Sequence, residues 1–161
     1  MGQIQYEFVT IWRIRAPIEA VWEELVHPEL WPTWWRGVQS VETIEHGENG
    51  GLGSIHRFRW KSRLPYVLTF QTRAVRLDPP RLLEVEATGE LAGSGLWQLS
   101  SDGDVTVARY DWKVRATHPV MRFFAPVARP LFVWNHDLSM ARGLEGLTKR
   151  LATPHILRPP C

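Results

Sequence analysis

Hydrophobic and polar residues alternate along most of the chain, a pattern typical of β-strands with one buried face. In the first such segment, Gln5–Arg15, the residues Tyr6, Phe8, Thr10, Trp12 and Ile14 fall on one side. Six more alternating segments follow at 38–46, 54–61, 65–77, 81–87, 90–100 and 105–117. Glycine- or proline-containing turns separate these six, so we predict an antiparallel meander within a seven-stranded sheet.

Helical spacing of hydrophobic residues occurs in two regions. Pro17–Val26 follows the first strand, with proline at the first helical position, and a second short helical turn is bracketed by Pro28 and Pro32. Near the C-terminus, Leu131–Leu151 carries apolar residues on one face. Because prolines at 126 and 130 interrupt a helix, we expect this long helix to begin near Leu131.

These elements predict an α+β fold. A sheet of seven strands twists and curls, and the C-terminal helix is the only predicted element long enough to fill its concave side. A sheet that grips a helix leaves a gap between them, and this gap is either filled core or a pocket. We assign 1–152 to one domain and 153–161 to a loosely attached tail, which contains three prolines.

The composition adds one strong feature, nine tryptophans in 161 residues. Tryptophan offers a large apolar area and one N–H that needs a partner when it is buried, so it occurs in cores, interfaces and pockets.

The net charge of +2 is too small for the clustered basic field of a nucleic-acid binder. The single cysteine, Cys161, forms no disulfide within the chain. With no apolar signal block or membrane span, we expect a cytoplasmic protein.

The order of several short segments resembles the START-like (SRPBCC) superfamily, in particular its polyketide cyclase/dehydrase-type proteins. The resemblance covers about Gln5 to Leu151 and rests on the segments 15–22, 31–38, 77–81, 89–97 and 135–147, which include Ala16-Pro17, Trp31-Pro32, Asp78-Pro79-Pro80 and Asn135-His136-Asp137. It implies a helix-grip fold, in which a curved antiparallel sheet wraps a long C-terminal helix around a deep cavity, with two short helices after the first strand. It implies no catalytic set, because the superfamily shares none.

Aromatic residues on the inward strand faces are the candidate ligand-binding set. Together with two helix residues, they are Trp12, Phe58, Trp60, Tyr66, Phe70, Trp97, Tyr110, Trp112, His136 and Met140. Large apolar pockets are lined by such residue types with a few polar groups. Plain core packing is the alternative, and we expect several of these residues to be core in either case.

Four polar residues share these faces and are the only catalytic candidates: His56, His136, Tyr66 and Tyr110. If they converge, they could orient a carbonyl or phenol, or act as general acid and base in an aldol-type cyclisation. Two histidines without a paired carboxylate make no recognisable catalytic unit, so we assign no catalytic residue and favour partly buried structural histidines.

Two further groups have alternative interpretations. Trp31, Trp34 and Trp35 form either a gate over the pocket or a structural plug. A basic stripe of Arg57, Arg59, Lys61 and Arg63 could touch anionic lipid or RNA, although a solvated sheet face is commoner. The same solvated position is expected for Arg109 and Asp111, opposite Tyr110.

Several chemistries have no sequence support. The six histidines show no metal-ligand spacing, no phosphate-binding glycine loop opens a helix, and no nucleophile elbow is present. We therefore expect no metal and no cofactor.

The sequence favours a binder of a lipid, isoprenoid, aromatic or polyketide-like molecule. The alternatives are a cofactor-independent aromatase/cyclase-type enzyme and a module that contacts a membrane or a macromolecule, with nucleic acid the less favoured partner. Oligomeric state stays open.

Overall fold

Seven strands, two short helices and one long helix make up the computed structural model, which describes residues 5–117 and 119–152. The strands are β1 (Gln5–Ile14), β2 (Val38–Glu45), β3 (Ile55–Lys61), β4 (Val67–Asp78), β5 (Leu82–Gly89), β6 (Leu91–Asp102) and β7 (Val105–Ala116). Between β1 and β2 lie α1 (Ile18–Leu25) and a 3-10 helix (Pro28–Thr33), and the chain continues after β7 into α2 (Pro119–Ala152). The predicted order of elements is therefore confirmed.

All seven strands form one curved antiparallel sheet in the order β1-β7-β6-β5-β4-β3-β2. The last six strands pair with their neighbours in sequence, as short turns require. Only the pairing of β1 with β7 joins distant parts of the chain, and it places Tyr6 opposite Val114. The predicted helix-grip architecture is confirmed, with α2 as the long C-terminal helix.

The long helix begins earlier than the sequence predicts. We expected a start near Leu131 because of the two prolines, but α2 runs from Pro119 and includes Pro126 and Pro130. Each proline costs the helix one hydrogen bond and strains the turn before it. The packing of Ala128 and Phe132 against the sheet, on either side of Pro130, holds the helix in place here.

The first half of α2 has a solvent-facing apolar side, which extends from the added turns to Trp134. Its exposed apolar residues are Phe123, Phe124, Val127, Leu131 and Trp134, and most of them are three or four positions apart. The opposite side carries Phe132, which is buried at 7% exposure. No described helix is long and apolar enough to cross a membrane. The tail predicted at 153–161 lies outside the described residues.

The core consists of two hydrophobic clusters on the concave side of the sheet. One contains Trp12, Trp35 and Leu147, and packs the C-terminal half of α2 against α1 and the sheet. The other contains Tyr6 and Phe132 and lies under the first half of α2. Partly buried aromatic residues contact both clusters: Trp31, Trp60 and Tyr110. This shared aromatic region holds the candidate site.

Candidate functional site

A cavity with a volume of about 170 Å³ lies between the concave face of the sheet and α2. Strand residues form most of its wall, and α2 closes it with Phe132, Asn135, His136, Ser139 and Met140. Alternation explains this composition, because every second residue of each strand faces inward. Of the predicted ligand-binding residues, eight line the cavity: Phe58, Trp60, Phe70, Trp97, Tyr110, Trp112, His136 and Met140.

Seven aromatic side chains on this part of the concave face form a closed circuit of ring contacts, and all of them except Trp12 line the cavity. Ring centroids are separated by 5.2 Å for Trp35–Trp12, 5.1 Å for Trp12–Trp97, 4.3 Å for Trp97–Tyr110, 5.7 Å for Tyr110–Trp112, 6.2 Å for Trp112–Phe70, 6.5 Å for Phe70–Trp60 and 5.1 Å for Trp60–Trp35. Most of these distances are in the range favoured by aromatic pairs. Each ring therefore packs on two others of the circuit.

Two predicted ligand-binding residues lie outside the cavity lining. Trp12 is only 2% exposed because Trp35 and Trp97 pack on it, so it supports the wall from behind. Tyr66 precedes β4 and is not part of the lining either. Burial and the charge of Glu90 contribute to raising the pKa of its hydroxyl to about 12, so it is neutral.

The tryptophan cluster at 31, 34 and 35 packs inward. Trp31 and Trp35 line the cavity, whereas Trp34 does not and is 7% exposed. The indole N–H of Trp31 donates to the carbonyl of Glu24 at 2.9 Å, and that of Trp35 donates to the carbonyl of Ser139 at 2.8 Å. These contacts favour the structural plug over the gate, because opening the cluster would break both hydrogen bonds.

Two glycines of α2 make room for this cluster. A Cβ atom at Gly143 would lie 2.5 Å from the Trp35 ring, and one at Gly146 would lie 1.7 Å from the backbone oxygen of Trp34. Both separations are too short for any side chain. The sequence signal was present as two glycines three apart on the core side of a helix, but it was not assigned this role.

Another glycine shapes the floor of the cavity. A Cβ atom at Gly95 on β6 would lie 2.6 Å from the hydroxyl oxygen of Tyr110 and 2.9 Å from the Trp112 ring. The missing side chain therefore lets both rings lie close to the sheet. Burial of the Tyr110 hydroxyl against these groups raises its pKa.

His136 and Tyr6 occupy the β1 side of the cavity. The His136 ring stacks on Phe8 with centroids 3.8 Å apart, and Phe8 stacks on Tyr6 at 5.9 Å. Neither ring nitrogen of His136 nor the hydroxyl of Tyr6 has a hydrogen-bond partner, although all three atoms are buried. The nearest carboxylate, that of Asp137, is 3.7 Å from the imidazole Nδ1, which is too long for a hydrogen bond. Tyr6 is a lining residue that sequence reasoning missed.

Burial determines the ionisation of these two groups. It lowers the pKa of His136 despite the nearby charge of Asp137, and it raises the pKa of Tyr6 against the charge of Arg129. Both are therefore neutral at pH 7, and each could donate or accept a hydrogen bond.

His56 has a different environment on β3, one strand from the opposite edge of the sheet. It lines the cavity, and its Nε2 lies 3.7 Å from the carboxylate of Glu29. Burial lowers the pKa of His56, and the charge of Glu29 only partly offsets this. Both histidines line the cavity, His56 from β3 and His136 from α2, and their convergence on one ligand stays a prediction.

The lining carries no formal charge in the part of the chain that the structure describes: it includes no Asp, Glu, Lys or Arg.

The basic residues predicted to form a stripe are outside the cavity lining. Arg57 pairs with Glu42 at 3.0 Å, and Arg59 and Lys61 are exposed. Arg109 pairs with Asp111 at 3.0 Å on the outer face. Arg63 does not continue the stripe, because β3 ends at Lys61.

No group of three or more potential metal ligands occurs among the described residues. The donor atoms of His56 and His136 are on different walls of the cavity. What the arrangement can do is enclose an apolar, uncharged molecular body and offer it neutral hydrogen-bonding groups.

Comparison with known proteins gives one family and many similar folds. The model of the family described as "Polyketide cyclase / dehydrase and lipid transport" matches residues 7–152. Among curated protein sequences, none matches the chain.

Solved structures share the fold at low sequence identity. The protein TTHA0849 from Thermus thermophilus is 18% identical with a TM-score of 0.77, over 91% of this chain and 97% of that one. The Zhui aromatase/cyclase from Streptomyces sp. R1128 is 17% identical with a TM-score of 0.72, over 92% and 94%. The di-domain ARO/CYC BexL of the BE-7585A biosynthetic pathway is 18% identical with a TM-score of 0.73; the alignment covers 96% of this chain but about half, 51%, of that protein.

Proposed function

The chain belongs to the polyketide cyclase/dehydrase and lipid transport family, within the START-like (SRPBCC) superfamily, and from this premise we propose that it binds a hydrophobic small molecule in the cavity between the sheet and α2. The observation that carries the proposal is a cavity with an uncharged lining, in which six aromatic side chains pack on one another: Trp35, Trp60, Phe70, Trp97, Tyr110 and Trp112. Residues of these types, with few polar groups, line small-molecule sites in general.

The volume of the cavity favours a compact ligand. A cavity of about 170 Å³ is similar to one of roughly 150 Å³ that takes up benzene. One or two fused rings would therefore fit without rearrangement of the wall. Within the range of ligands expected from the sequence, the aromatic and polyketide-like compounds fit this volume better than a long lipid chain.

The polar groups favour binding over catalysis. A cyclisation needs an acid and a base that reach the same reacting atoms, and different elements, β3 and α2, place His56 and His136 on the cavity wall. The family and its aromatase/cyclase neighbours keep the enzymatic alternative consistent with the fold, but fold does not assign activity. Docking through the Trp31–Trp35 segment is disfavoured because Trp34 and Trp35 are buried.

Solvent extraction of the purified protein followed by mass spectrometry tests the proposal. We expect an apolar compound to co-purify with the wild-type protein and to be lost in Thr72→Phe, which adds a ring to the cavity wall. Thr88→Phe is the matched control, since it makes the same change at an exposed position of β5. Equal recovery from the three proteins, or none from any of them together with a cavity closed by side chains, would contradict the proposal.

A further inference from the structure

The first half of α2 exposes large apolar side chains to solvent along one side. Phe123 and Val127 are 79% and 80% exposed, and Phe124, Leu131 and Trp134 are each about half exposed. The first and last of these positions are separated by roughly 17 Å along the helix axis. Single exposed apolar residues are common, but a continuous patch of them marks a binding surface. We call these five residues the apolar face of α2.

The opposite side of the same turns is fixed on the sheet. The ring of Phe132 packs edge-on against Tyr6 of β1 at 6.0 Å, and the ring of His136 stacks on Phe8 at 3.8 Å. Because α2 cannot turn about its axis without losing these contacts, the apolar face is held pointing away from the sheet.

Positive charge borders the apolar face on both sides. On the β1 side, the guanidinium carbon of Arg129 lies 5.2 Å from the centre of the Tyr6 ring, and the exposed Arg122 is two helical turns earlier on the same side of α2. On the other side, the backbone N–H of the exposed Arg63 donates to Oδ1 of Asn135 at 3.3 Å. In the part of the chain that the structure describes, neither Arg122 nor Arg129 pairs with a carboxylate.

Acidic residues are few around this surface. The stretch 112–136 contains one lysine, three arginines and no acidic residue, in a chain whose net charge is only +2. Glu90 lies beside the start of α2, because its carbonyl accepts the N–H of Thr117 at 2.9 Å, but its carboxylate accepts the N–H of Thr69 at 2.7 Å. Asp137 comes only after the last residue of the apolar face. The surroundings of the apolar face are therefore positive.

We propose that the apolar face of α2 docks the protein on the surface of an anionic lipid bilayer. Helices that lie in the plane of a bilayer combine an apolar side, which enters the acyl boundary, with cations that meet the anionic headgroups. A second copy of this chain fits less well, because it would bring the arginines of both copies together. Docking of this kind is peripheral, since no described helix is long and apolar enough to cross a membrane. It goes beyond the proposed function and does not depend on it.

Flotation of the purified protein with lipid vesicles tests this proposal. One set of vesicles is phosphatidylcholine alone, and the other is an equimolar mixture of phosphatidylcholine and phosphatidylserine. We expect the wild type to bind the mixed vesicles about tenfold or more tightly than the neutral ones, because each cation near an anionic surface adds about a fivefold gain. Added salt should reduce this difference by screening.

A pair of double variants tests the apolar contribution. Val127→Ser with Leu131→Ser should weaken binding to the mixed vesicles about tenfold or more, because two apolar side chains no longer enter the bilayer. Val9→Ser with Ile11→Ser is the matched control, since it makes the same kind of change at exposed positions of β1, and it should leave binding unchanged. All four residues are exposed, so the fold should be kept, which an unchanged melting temperature checks.

A second pair tests the charges. Arg122→Gln with Arg129→Gln should weaken binding to the mixed vesicles about tenfold or more, and binding to the neutral vesicles less than about twofold. Arg59→Gln with Lys61→Gln is the matched control, because it removes two exposed cations of β3 and should have little effect on either.

Three results would overturn the docking surface: no binding to the mixed vesicles, equal binding to both kinds of vesicle, or an equal loss in either control. A wild type that is dimeric in sedimentation, and becomes monomeric in Val127→Ser with Leu131→Ser, would also overturn it, since a second copy would then cover the apolar face. None of these results depends on a ligand in the cavity, so failure of the docking surface is distinct from failure of the proposed function.

Discussion

At the scale of single residues, the hydroxyl of Tyr6 is an unusual group to find inside a protein. It is buried without a hydrogen-bond partner, on a residue that is 3% exposed. Leaving a buried polar group unpaired costs roughly 1–3 kcal/mol. Such a cost in a native structure needs an explanation. Because Tyr6 lines the cavity, a hydrogen bond from its hydroxyl to a polar group of a bound molecule would provide one.

Replacing Tyr6 with phenylalanine should therefore stabilise the ligand-free protein. Tyr6→Phe removes only the oxygen and keeps the ring contacts with Phe8 and Phe132. We expect the free energy of unfolding to rise by about 1 kcal/mol, measured by urea denaturation with an unchanged slope.

Tyr110→Phe makes the same chemical change elsewhere in the lining and serves as the control for loss of a tyrosine hydroxyl. A fall in the stability of Tyr6→Phe would show that its hydroxyl has a structural partner, and the argument for a ligand contact at this position would fail.

At the scale of elements, the C-terminal half of α2 is held by close approach to the tryptophan cluster and by an ion pair. Gly143 and Gly146 admit the Trp34-Trp35 segment, as described above, and the guanidinium of Arg150 pairs with Glu24 of α1 at 2.8 Å. The wall of the cavity thus depends on two positions where α2 has no side chain.

Alanine at Gly143 should destabilise the protein, against the usual trend in helices. Glycine is about 1 kcal/mol less favourable than alanine within a helix, so propensity alone predicts a gain for Gly143→Ala. The added methyl group would collide with the Trp35 ring, and overpacking of this kind costs roughly 1–3 kcal/mol. We expect a net loss in the free energy of unfolding, with a lower melting temperature in calorimetry.

Thr148→Ala, at an exposed position of the same helix, controls for general effects of alanine and should leave stability nearly unchanged. If Gly143→Ala proves as stable as the wild type or more so, the close packing of α2 on the tryptophan cluster is wrong.

At the scale of the whole molecule, two histidines on different walls make stability depend on pH. Burial lowers the pKa of both His56 and His136 from the ordinary value of 6.5. The unfolded chain therefore takes up protons at a higher pH than the folded protein does. The stability contributed by the neutral imidazoles is present above about pH 6.5 and is lost as the pH falls below it.

Urea denaturation at pH 7.5 and at pH 5.5 measures this effect. We expect the wild type to be less stable at the lower pH, and the difference to shrink in His136→Phe, which keeps an aromatic ring against Phe8. It should shrink further when His56→Gln is added. A wild type with equal stability at the two pH values would contradict the burial of the two imidazoles.

Much of the fold could be predicted from sequence because alternation and helical spacing record which side of each element is buried. The inward set of β1, from Tyr6 to Ile14, follows directly from this pattern. The start of α2 could not be predicted, because the local cost of Pro126 and Pro130 is outweighed by contacts that exist only after folding. Arg63 was placed on the basic stripe by its spacing alone, although the segment predicted at 54–61 ends at Lys61, as β3 does.

The sequence predicts that aromatic residues line the site, but it predicts less well which of the aromatic residues do so. Inward aromatic residues were expected, but the same pattern selects Trp12, which is behind the wall, and Phe70, which is on it. Alternation places Tyr6 on the inward face of β1, but no local pattern shows that it lines the cavity. Its position there depends on the pairing of β1 with β7 and on the packing of α2, which a hydrogen bond between residues 104 positions apart helps to hold.

Local periodicity and turns of a few residues determine the elements, their order and the aromatic character of the concave face, so all three could be predicted before folding is considered. How that face is divided between core and cavity depends on tertiary contacts. The curvature of the sheet brings seven rings into a closed circuit, and two glycines let α2 close over them, which leaves a small uncharged space. Such distances between remote residues are set by packing of the whole chain, and no local pattern contains them.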